Sequence, residues 1–169
     1  MSFDVAKRAI DYYLLHSKET KIRYISFYGG EPLLNFNLIE KCAHYLRKKC
    51  SNIKFGLTTN GILLNKDVIA FLERNSFVIT ISLDGPKELH DKYRIDVNGQ
   101  GSYDKCYENF KKLYVAFSDP HRININISLG PDKYLFEQFE YFEKLSRDYN
   151  CNLNLFVFHL TNAMKRLLN

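Results

Sequence analysis

Residues 22–34 read IRYISFYGGEPLL, an apolar run that ends abruptly in two glycines, a glutamate and a proline. The first half is rich in β-branched and aromatic residues and predicts a buried strand at residues 22–28. Glycine packs no side chain and loses the most conformational freedom on folding, so Gly29 and Gly30 are costly at a strand end unless the backbone there needs them. The stretch therefore raises the question of what approaches this corner.

The rest of the chain alternates strands with amphipathic helices. Apolar and β-branched runs predict further strands at residues 53–59, 77–83, 122–129 and 152–158. Helical periodicity predicts helices at residues 2–17, 36–49, 66–74, 102–117 and 132–149. Pro86, as a first helical residue, predicts a short turn of helix at 86–91. Plausible N-caps precede three of the helices: Ser2, Asn65 and Ser102.

This alternation predicts an α/β fold with a parallel sheet and right-handed crossovers. We find no linker or low-complexity segment, so we expect one domain over residues 1–169. A βα chain ordinarily begins with a strand, whereas this chain opens on a helix. If the sheet belongs to a barrel, the first strand of that barrel is missing from the sequence.

The bulk composition excludes several classes of protein. The net charge is +5, but the cations are interleaved with acids, and the densest cluster, Arg47-Lys48-Lys49, ends a predicted helix where cations favour the dipole. We therefore expect no nucleic-acid partner. No apolar run approaches the roughly 20 residues that span a bilayer, and the N-terminus has no secretory signal pattern. These features predict a cytoplasmic protein without a membrane partner.

The four cysteines, Cys42, Cys50, Cys106 and Cys151, show no spacing typical of metal ligands. Their helix and strand positions predict buried, reduced thiols. We expect no metal site made from this chain's own residues.

Polar residues gather where the predicted strands end. Ligands of parallel α/β folds bind at the carboxyl ends of the strands. Those ends carry, in chain order, Gly29-Gly30-Glu31-Pro32, Thr58-Thr59-Asn60-Gly61, Ser82 with Asp84, Ser128 before Gly130-Pro131, and His159. Three successive corners of this kind on one rim favour a binding site for a zwitterionic or hydroxyl-rich small molecule.

Each corner also has a plainer interpretation. Glu31 could accept hydrogen bonds from a ligand ammonium, hold the turn together or cap a helix. Asn60-Gly61 and Asp84-Gly85-Pro86 could be turn chemistry only, and His90 and Arg94 could be surface residues. The polar loop at residues 94–101 is expected to be mobile or to face a ligand.

Three stretches taken together resemble the radical SAM enzymes, in the branch with a C-terminal SPASM domain. They are FYGGEPLL at 27–34, TTNGILL at 58–64, and ISLDGPKELHDKYR from 81 with GQGSYDK from 99. That branch includes anaerobic sulfatase-maturating enzymes and peptide maturases, and the likeness runs from Ser2 to about Phe158. The resemblance implies a partial (β/α)6 TIM-like barrel, of which this chain covers strands two to six.

The resemblance also implies a chemistry. The family holds a [4Fe–4S] cluster on a C-x-x-x-C-x-x-C loop, and cluster-bound S-adenosylmethionine is cleaved to a 5′-deoxyadenosyl radical that attacks a peptide or protein substrate. Gly29, Gly30 and Glu31 would receive the methionine ammonium. The other residues implied at the site are Tyr28 at its border, Ser82 at the carboxylate or ribose, Thr59 and Asn60 on the rim, and Arg94 at an anionic group. Asp84 matches the family's SLDG motif, as a structural residue or one near the substrate.

One departure from the family pattern matters: the sequence contains no C-x-x-x-C-x-x-C. We therefore expect a fragment of a longer parent, inactive by itself, with the cluster and S-adenosylmethionine belonging to that parent and neither bound tightly here. The alternative is a non-catalytic α/β ligand-binding or interaction module derived from this fold. The absent first strand would leave residues 22–28 as an open sheet edge, which predicts self-association.

Overall fold

The computed structural model describes residues 1–128, 134–150 and 152–156. Helix α1 spans Phe3–His16, strand β1 Arg23–Phe27, α2 Phe36–Lys49, β2 Ile53–Thr59, α3 Lys66–Arg74 and β3 Phe77–Ser82. Then follow α4 at Lys87–Tyr93, α5 at Tyr103–Ala116, β4 at Ile123–Ser128, α6 at Leu135–Tyr149 and β5 at Asn152–Phe156. Short 3₁₀ helices occupy Pro32–Asn35 and Pro120–Arg122. Every predicted strand and helix is present.

The five strands form one parallel sheet in the order β1-β2-β3-β4-β5. Each strand lies beside the next in sequence, so the strand order never reverses. A doubly wound nucleotide-binding sheet reverses its order at a switch point, whereas a barrel does not. The topology is that of a section of a TIM-like barrel, as predicted.

The two faces of the sheet differ in chemistry. One face packs against the helices and is built from fully buried apolar residues, including Phe55, Ile79, Ile81, Ile123 and Ile125. The alternate residues form the other face, which lies away from the helices. In β2, β3 and β4 that face carries small and polar side chains: Gly56, Thr58, Val78, Thr80, Ser82, Asn124, Asn126 and Ser128. We call it the polar face.

Barrel interiors are usually filled with bulky branched side chains. Here Gly56 leaves room instead for the ring of Tyr24 from β1, whose hydroxyl would overlap a Cβ added at that glycine. The polar face also holds the side-chain oxygen of Asn126, which is buried and has no hydrogen-bond partner within the described residues. A face of this composition is suited to line a ligand cavity.

The predicted N-caps have different outcomes. Ser2 accepts from the N–H of Val5, and Asn65 accepts from the N–H groups of Asp67 and Val68, as expected. Ser102 occupies the N-cap position of α5, as predicted, but its side chain makes no capping bond there. Its hydroxyl donates instead to the carbonyl of Arg94.

Candidate functional site

The glycine corner after β1 is open. A Cβ built on Gly29 or Gly30 would meet no atom within 4 Å, and the neighbouring Tyr28 is 79% exposed. A backbone without side chains and with free space above it lets a ligand approach the peptide groups directly. The two glycines therefore sit where a ligand would need them.

Glu31 fastens this corner to the end of β2. One carboxylate oxygen accepts from the N–H of Leu33 (3.0 Å) and from the hydroxyl of Thr59 (2.8 Å), and the other accepts from the N–H of Asn60 (2.8 Å). A carboxylate has about four acceptor positions, so most of its capacity is used inside the protein. Glu31 holds the turn and caps the 3₁₀ helix, which are two of the three roles considered from sequence.

The turn after β2 is held by a hydrogen bond of its own and by a side chain of α5. Asn60 accepts from the N–H of Ile62, and Gly61 adopts a φ of +79°, which is turn chemistry as considered from the sequence. The buried amide of Asn109 on α5 donates to the carbonyls of Gly61 (2.9 Å) and Ile62 (3.1 Å). Sequence reasoning missed Asn109, although an asparagine on the apolar stripe of a helix is a usable signal.

A second, closed corner lies after β3 and β4. Asp84 is 4% exposed and receives the Arg94 guanidinium on both oxygens, with its Oδ2 2.5 Å from Nε and its Oδ1 3.2 Å from Nη2. The Asp84 Oδ1 also accepts from the N–H of Ser128 at 2.8 Å, across the two strands. Gln138 on α6 donates to the carbonyls of Asp84 and Ser128. Asp84 therefore joins the carboxyl ends of β3 and β4.

His90 belongs to the closed corner and is completely buried, so the surface interpretation of this residue was wrong. Its Nδ1 accepts from the N–H of Asp84, and its Nε2 lies 3.0 Å from the hydroxyl of Ser102. Burial lowers the pKa of His90, and the negative charge of Asp84 offsets part of this lowering. The ring is thus neutral at physiological pH.

Ser82 ends β3 between the two corners and is 8% exposed. Its carbonyl faces the thiol of Cys106 at 3.7 Å. Burial is the largest cause that raises the pKa of Cys106 to about 12. The positive charge of Arg94 lowers this pKa, and the negative charges of Asp84 and Glu31 raise it. The thiol is therefore protonated and unreactive, and it lies within electrostatic reach of both corners.

The structure thus places the predicted site residues in two groups. Glu31, Thr59 and Asn60 are joined directly, beside Tyr28 and the glycines, while Asp84 and Arg94 form the second group. The loop at 94–101 is tied into a hairpin, because Asp96 accepts from the N–H groups of Asn98 and Gln100. Gly130, Pro131 and His159 lie outside the described residues.

The asparagines of the polar face were also missed from sequence. Asn124 and Asn126 alternate with isoleucine in β4, in the stretch ININIS. Asparagine is depleted in strands, so two of them on one face are a signal of a face that is not core. The unpartnered oxygen of Asn126 lies on this face, level with Ser82 on the neighbouring strand.

The described residues fit S-adenosylmethionine better than they fit an iron–sulfur cluster. The open glycine corner and the unpartnered Asn126 oxygen leave room and hydrogen-bonding capacity for a polar ligand. Cys42 and Cys106 are buried free thiols and Cys50 is a partly buried one, and Cys151 lies outside the described residues. No group of three or more His, Cys, Asp or Glu that could hold a metal ion occurs in the described ranges.

Comparison with known proteins identifies the family. The model of the Radical SAM superfamily matches residues 1–144, so the chain belongs to the Radical SAM superfamily. A cysteine-type anaerobic sulfatase-maturating enzyme of Clostridium novyi (strain NT) is 32% identical over 123 residues, which are 70% of this chain and 33% of that protein. The radical SAM cyclopropyl synthase TigE of Paramaledivibacter caminithermalis is 30% identical over 132 residues, or 78% of this chain and 26% of that protein.

The solved structures agree. One, described as native anSMEcpe with bound AdoMet and Cp18Cys peptide, superposes with a TM-score of 0.68 at 27% identity and covers 78% of this chain and 37% of that chain. The chain therefore spans about a third of the length of the relatives it matches. Within the part of the chain that the structure describes, no helix is long and apolar enough to cross a membrane.

Proposed function

We propose that this chain forms the S-adenosylmethionine-binding core of a radical SAM enzyme that modifies a peptide or protein. The open backbone at Gly29 and Gly30, at the carboxyl edge of the sheet, is the observation that carries the proposal. Family membership and solved relatives with bound AdoMet and peptide support it. Bound S-adenosylmethionine would supply the 5′-deoxyadenosyl radical on reductive cleavage.

The chain's own residues would bind and orient that ligand. The peptide groups of Gly29 and Gly30 would receive the methionine ammonium, with Glu31 fixing the corner and Tyr28 bordering it. Ser82 would meet the carboxylate or ribose, with Thr59 and Asn60 on the neighbouring rim. Arg94 would bind an anionic group, and Asp84 would hold Arg94.

The test uses the protein expressed from its complete gene and purified without oxygen. We expect 5′-deoxyadenosine and methionine to form from S-adenosylmethionine under reducing conditions. Gly30→Val should abolish S-adenosylmethionine binding with nearly unchanged urea unfolding, because no atom beyond the chain neighbours lies within 4 Å of a Cβ added there. Wild-type affinity in Gly30→Val would overturn the assignment, and binding without cleavage would favour the non-catalytic module.

We also propose that the 169-residue chain alone is inactive and binds S-adenosylmethionine weakly. The sequence offers no C-x-x-x-C-x-x-C to hold the cluster that would anchor the ligand. Calorimetry should give a Kd weaker than ~1 μM, which corresponds to about −8.2 kcal/mol. Tighter binding would show that the rim suffices by itself.

We further propose that the chain self-associates through the edge of β1, its partner a second copy. β1 is an outer strand of the sheet and borders an apolar groove of about 540 Å³ lined by α1, β1 and α2. Tyr13 partly guards the edge, since its hydroxyl accepts from the N–H of Tyr24 (3.2 Å) and donates to the Tyr24 carbonyl (3.4 Å). The next outward-facing peptide groups, at Ser26, stay available for pairing.

Analytical ultracentrifugation tests this edge. Tyr13→Phe removes the guarding hydroxyl and should raise the dimer fraction, whereas Ser26→Pro should lower it. A monomer at high concentration in both wild type and Tyr13→Phe would refute self-association.

Two further predictions from the sequence stand as proposals. Arg47 supports the absence of a nucleic-acid partner, because its guanidinium donates to the carbonyls of Ile53 and Asn75 inside the protein. The second of these proposals is that the protein is located in the cytoplasm.

A further inference from the structure

His90, Ser102, Arg94 and Asp84 form a closed ring of hydrogen bonds, which we call the histidine ring. Asp84 lies two residues after β3, His90 lies on α4, Arg94 directly follows α4, and Ser102 directly precedes α5. Three of them are buried, at 0% exposure for His90, 4% for Asp84 and 7% for Ser102. Arg94 is the member that reaches solvent, with 27% of its side chain exposed.

The protons of the ring follow from its donors. The N–H of Asp84 donates to His90 Nδ1 (3.3 Å), so that nitrogen is unprotonated and the proton sits on Nε2. His90 Nε2 then donates to the Ser102 hydroxyl (3.0 Å), and that hydroxyl donates to the Arg94 carbonyl (2.8 Å). The Arg94 guanidinium closes the ring on the Asp84 carboxylate. Each hydrogen bond of the ring therefore has a single possible assignment of donor and acceptor.

The ring holds Arg94 at both ends. Its backbone is fixed because its carbonyl accepts from Ser102 and its N–H donates to the His90 carbonyl at 2.9 Å. Its side chain is fixed because Nε and Nη2 bind Asp84. Among the described residues, no hydrogen bond uses the remaining nitrogen, Nη1, so it stays available to a ligand.

The charge balance makes this fixation matter. Asp84 neutralises Arg94, so the pair has little net charge with which to attract an anion. A ligand carboxylate would be held by directed, charge-assisted hydrogen bonds from Nη1, whose strength depends on correct geometry. A loosened Arg94 would lose this geometry while keeping its charge.

We propose that His90 and Ser102 are positioning residues that hold Arg94 for recognition of the ligand's carboxylate. The inference rests on the proposed function, since it takes that ligand to be S-adenosylmethionine. His90 itself does not touch the ligand. Its effect should therefore fall on the carboxylate contact and spare the rest of the ligand.

The experiment compares S-adenosylmethionine with decarboxylated S-adenosylmethionine, which lacks only that carboxylate. The ratio is the Kd for decarboxylated S-adenosylmethionine divided by the Kd for S-adenosylmethionine, both measured on the protein from its complete gene. A high ratio reports a strong carboxylate contact. Arg94→Gln should lower the ratio about tenfold, the worth of one hydrogen bond to a charged group. His90→Ala should lower it in the same direction by about threefold or more.

Two further variants make the test specific. Phe110→Leu removes buried volume from α5 outside the ring and serves as a destabilised control, whose ratio should stay at the wild-type value. His90→Gln retains one acceptor and one donor and should keep more of the ratio than His90→Ala. A wild-type ratio in His90→Ala, or the same loss in Phe110→Leu, overturns the inference.

A ligand-free measurement separates this inference from the proposed function. The Arg94 Nε–H resonance in a ¹H–¹⁵N spectrum should be sharp in wild type and Phe110→Leu, and lost or shifted in His90→Ala. If the wild type binds neither ligand, the proposed function fails, and this resonance alone decides whether His90 positions Arg94. An unchanged resonance in His90→Ala refutes positioning by His90.

Discussion

The two corners of the candidate site are built in opposite ways. The glycine corner after β1 depends on one carboxylate, that of Glu31, and leaves its backbone open above Gly29 and Gly30. The closed corner after β3 and β4 buries Asp84 and His90 in a complete set of hydrogen bonds. The glycine corner leaves its backbone accessible, as the proposed ligand site requires, whereas the closed corner holds its own residues in place.

Removing the centre of the closed corner should have the largest effect. Asp84→Ala leaves the Arg94 guanidinium and the Ser128 N–H without their partner, so we expect a loss of roughly 3 kcal/mol in the free energy of unfolding. Asp104→Ala, in an exposed pair with Lys87, is the matched control and should cost less than about 1 kcal/mol. Equal losses in urea unfolding would contradict the distinction between buried and exposed pairs.

A methyl group added at one glycine of each corner sharpens the comparison. Gly85 has a φ of +134°, and its added Cβ would lie 3.2 Å from Gln138, so Gly85→Ala should cost about 2 kcal/mol. Gly30→Ala meets no atom within 4 Å, so stability should stay within about 0.5 kcal/mol of wild type. Thermal unfolding of both variants decides, and a Gly30→Ala loss as large as that of Gly85→Ala would show that the glycine corner is packed.

The carboxylate of the glycine corner should matter less for stability. Glu31→Ala leaves the Thr59 hydroxyl and two N–H groups without this acceptor at a partly exposed site, and we expect a loss of about 1.5 kcal/mol. Glu31→Gln keeps one acceptor oxygen and should retain part of that energy. Chemical denaturation of both variants tests the order, which fails if Glu31→Gln is the less stable of the two.

The smallest effect concerns pH. Burial holds the pKa of His90 below its usual 6.5, so the folded state binds fewer protons than the unfolded state just below that pH. The contribution of His90 to the free energy of unfolding is therefore fully present above pH 6.5. It is lost as the pH falls toward the lowered pKa. His90→Gln should remove this dependence between about pH 7 and 5.

The carboxylates with lowered pKa values do not account for that window. Glu73 and Glu108 have pKa values lowered from 4.5, and Asp96 has one lowered from 3.8, so their contribution is lost only at more acidic pH. An unchanged slope between pH 7 and 5 in His90→Gln would show that another group titrates there.

The fold could be predicted from sequence because its signals are local and repeated. Each strand is a short apolar-rich run, and the longer helices carry an apolar stripe, so every strand and α-helix of the described residues was found. The glycine corner was also predicted, since two adjacent glycines at a strand end are visible in the sequence itself.

The histidine ring could not be predicted, for a physical reason. His90 lies on a seven-residue helix, which is too short to show which face is buried. Its partners Asp84 and Ser102 lie six and twelve residues away, and only the folded turn of α4 brings them together. Asn126 was overlooked because the isoleucines on either side of it raise the average hydrophobicity of the strand to that of a core strand.

The sequential order of the strands has a consequence for how the protein forms during synthesis. Each new strand pairs with the one completed just before it, so every helix-plus-strand unit that leaves the ribosome finds its docking edge already in place. None of the five described strands must wait for a distant part of the chain, which keeps the entropic cost of loop closure low at every step. We therefore expect the sheet to grow in one direction, from β1 to β5, as translation proceeds.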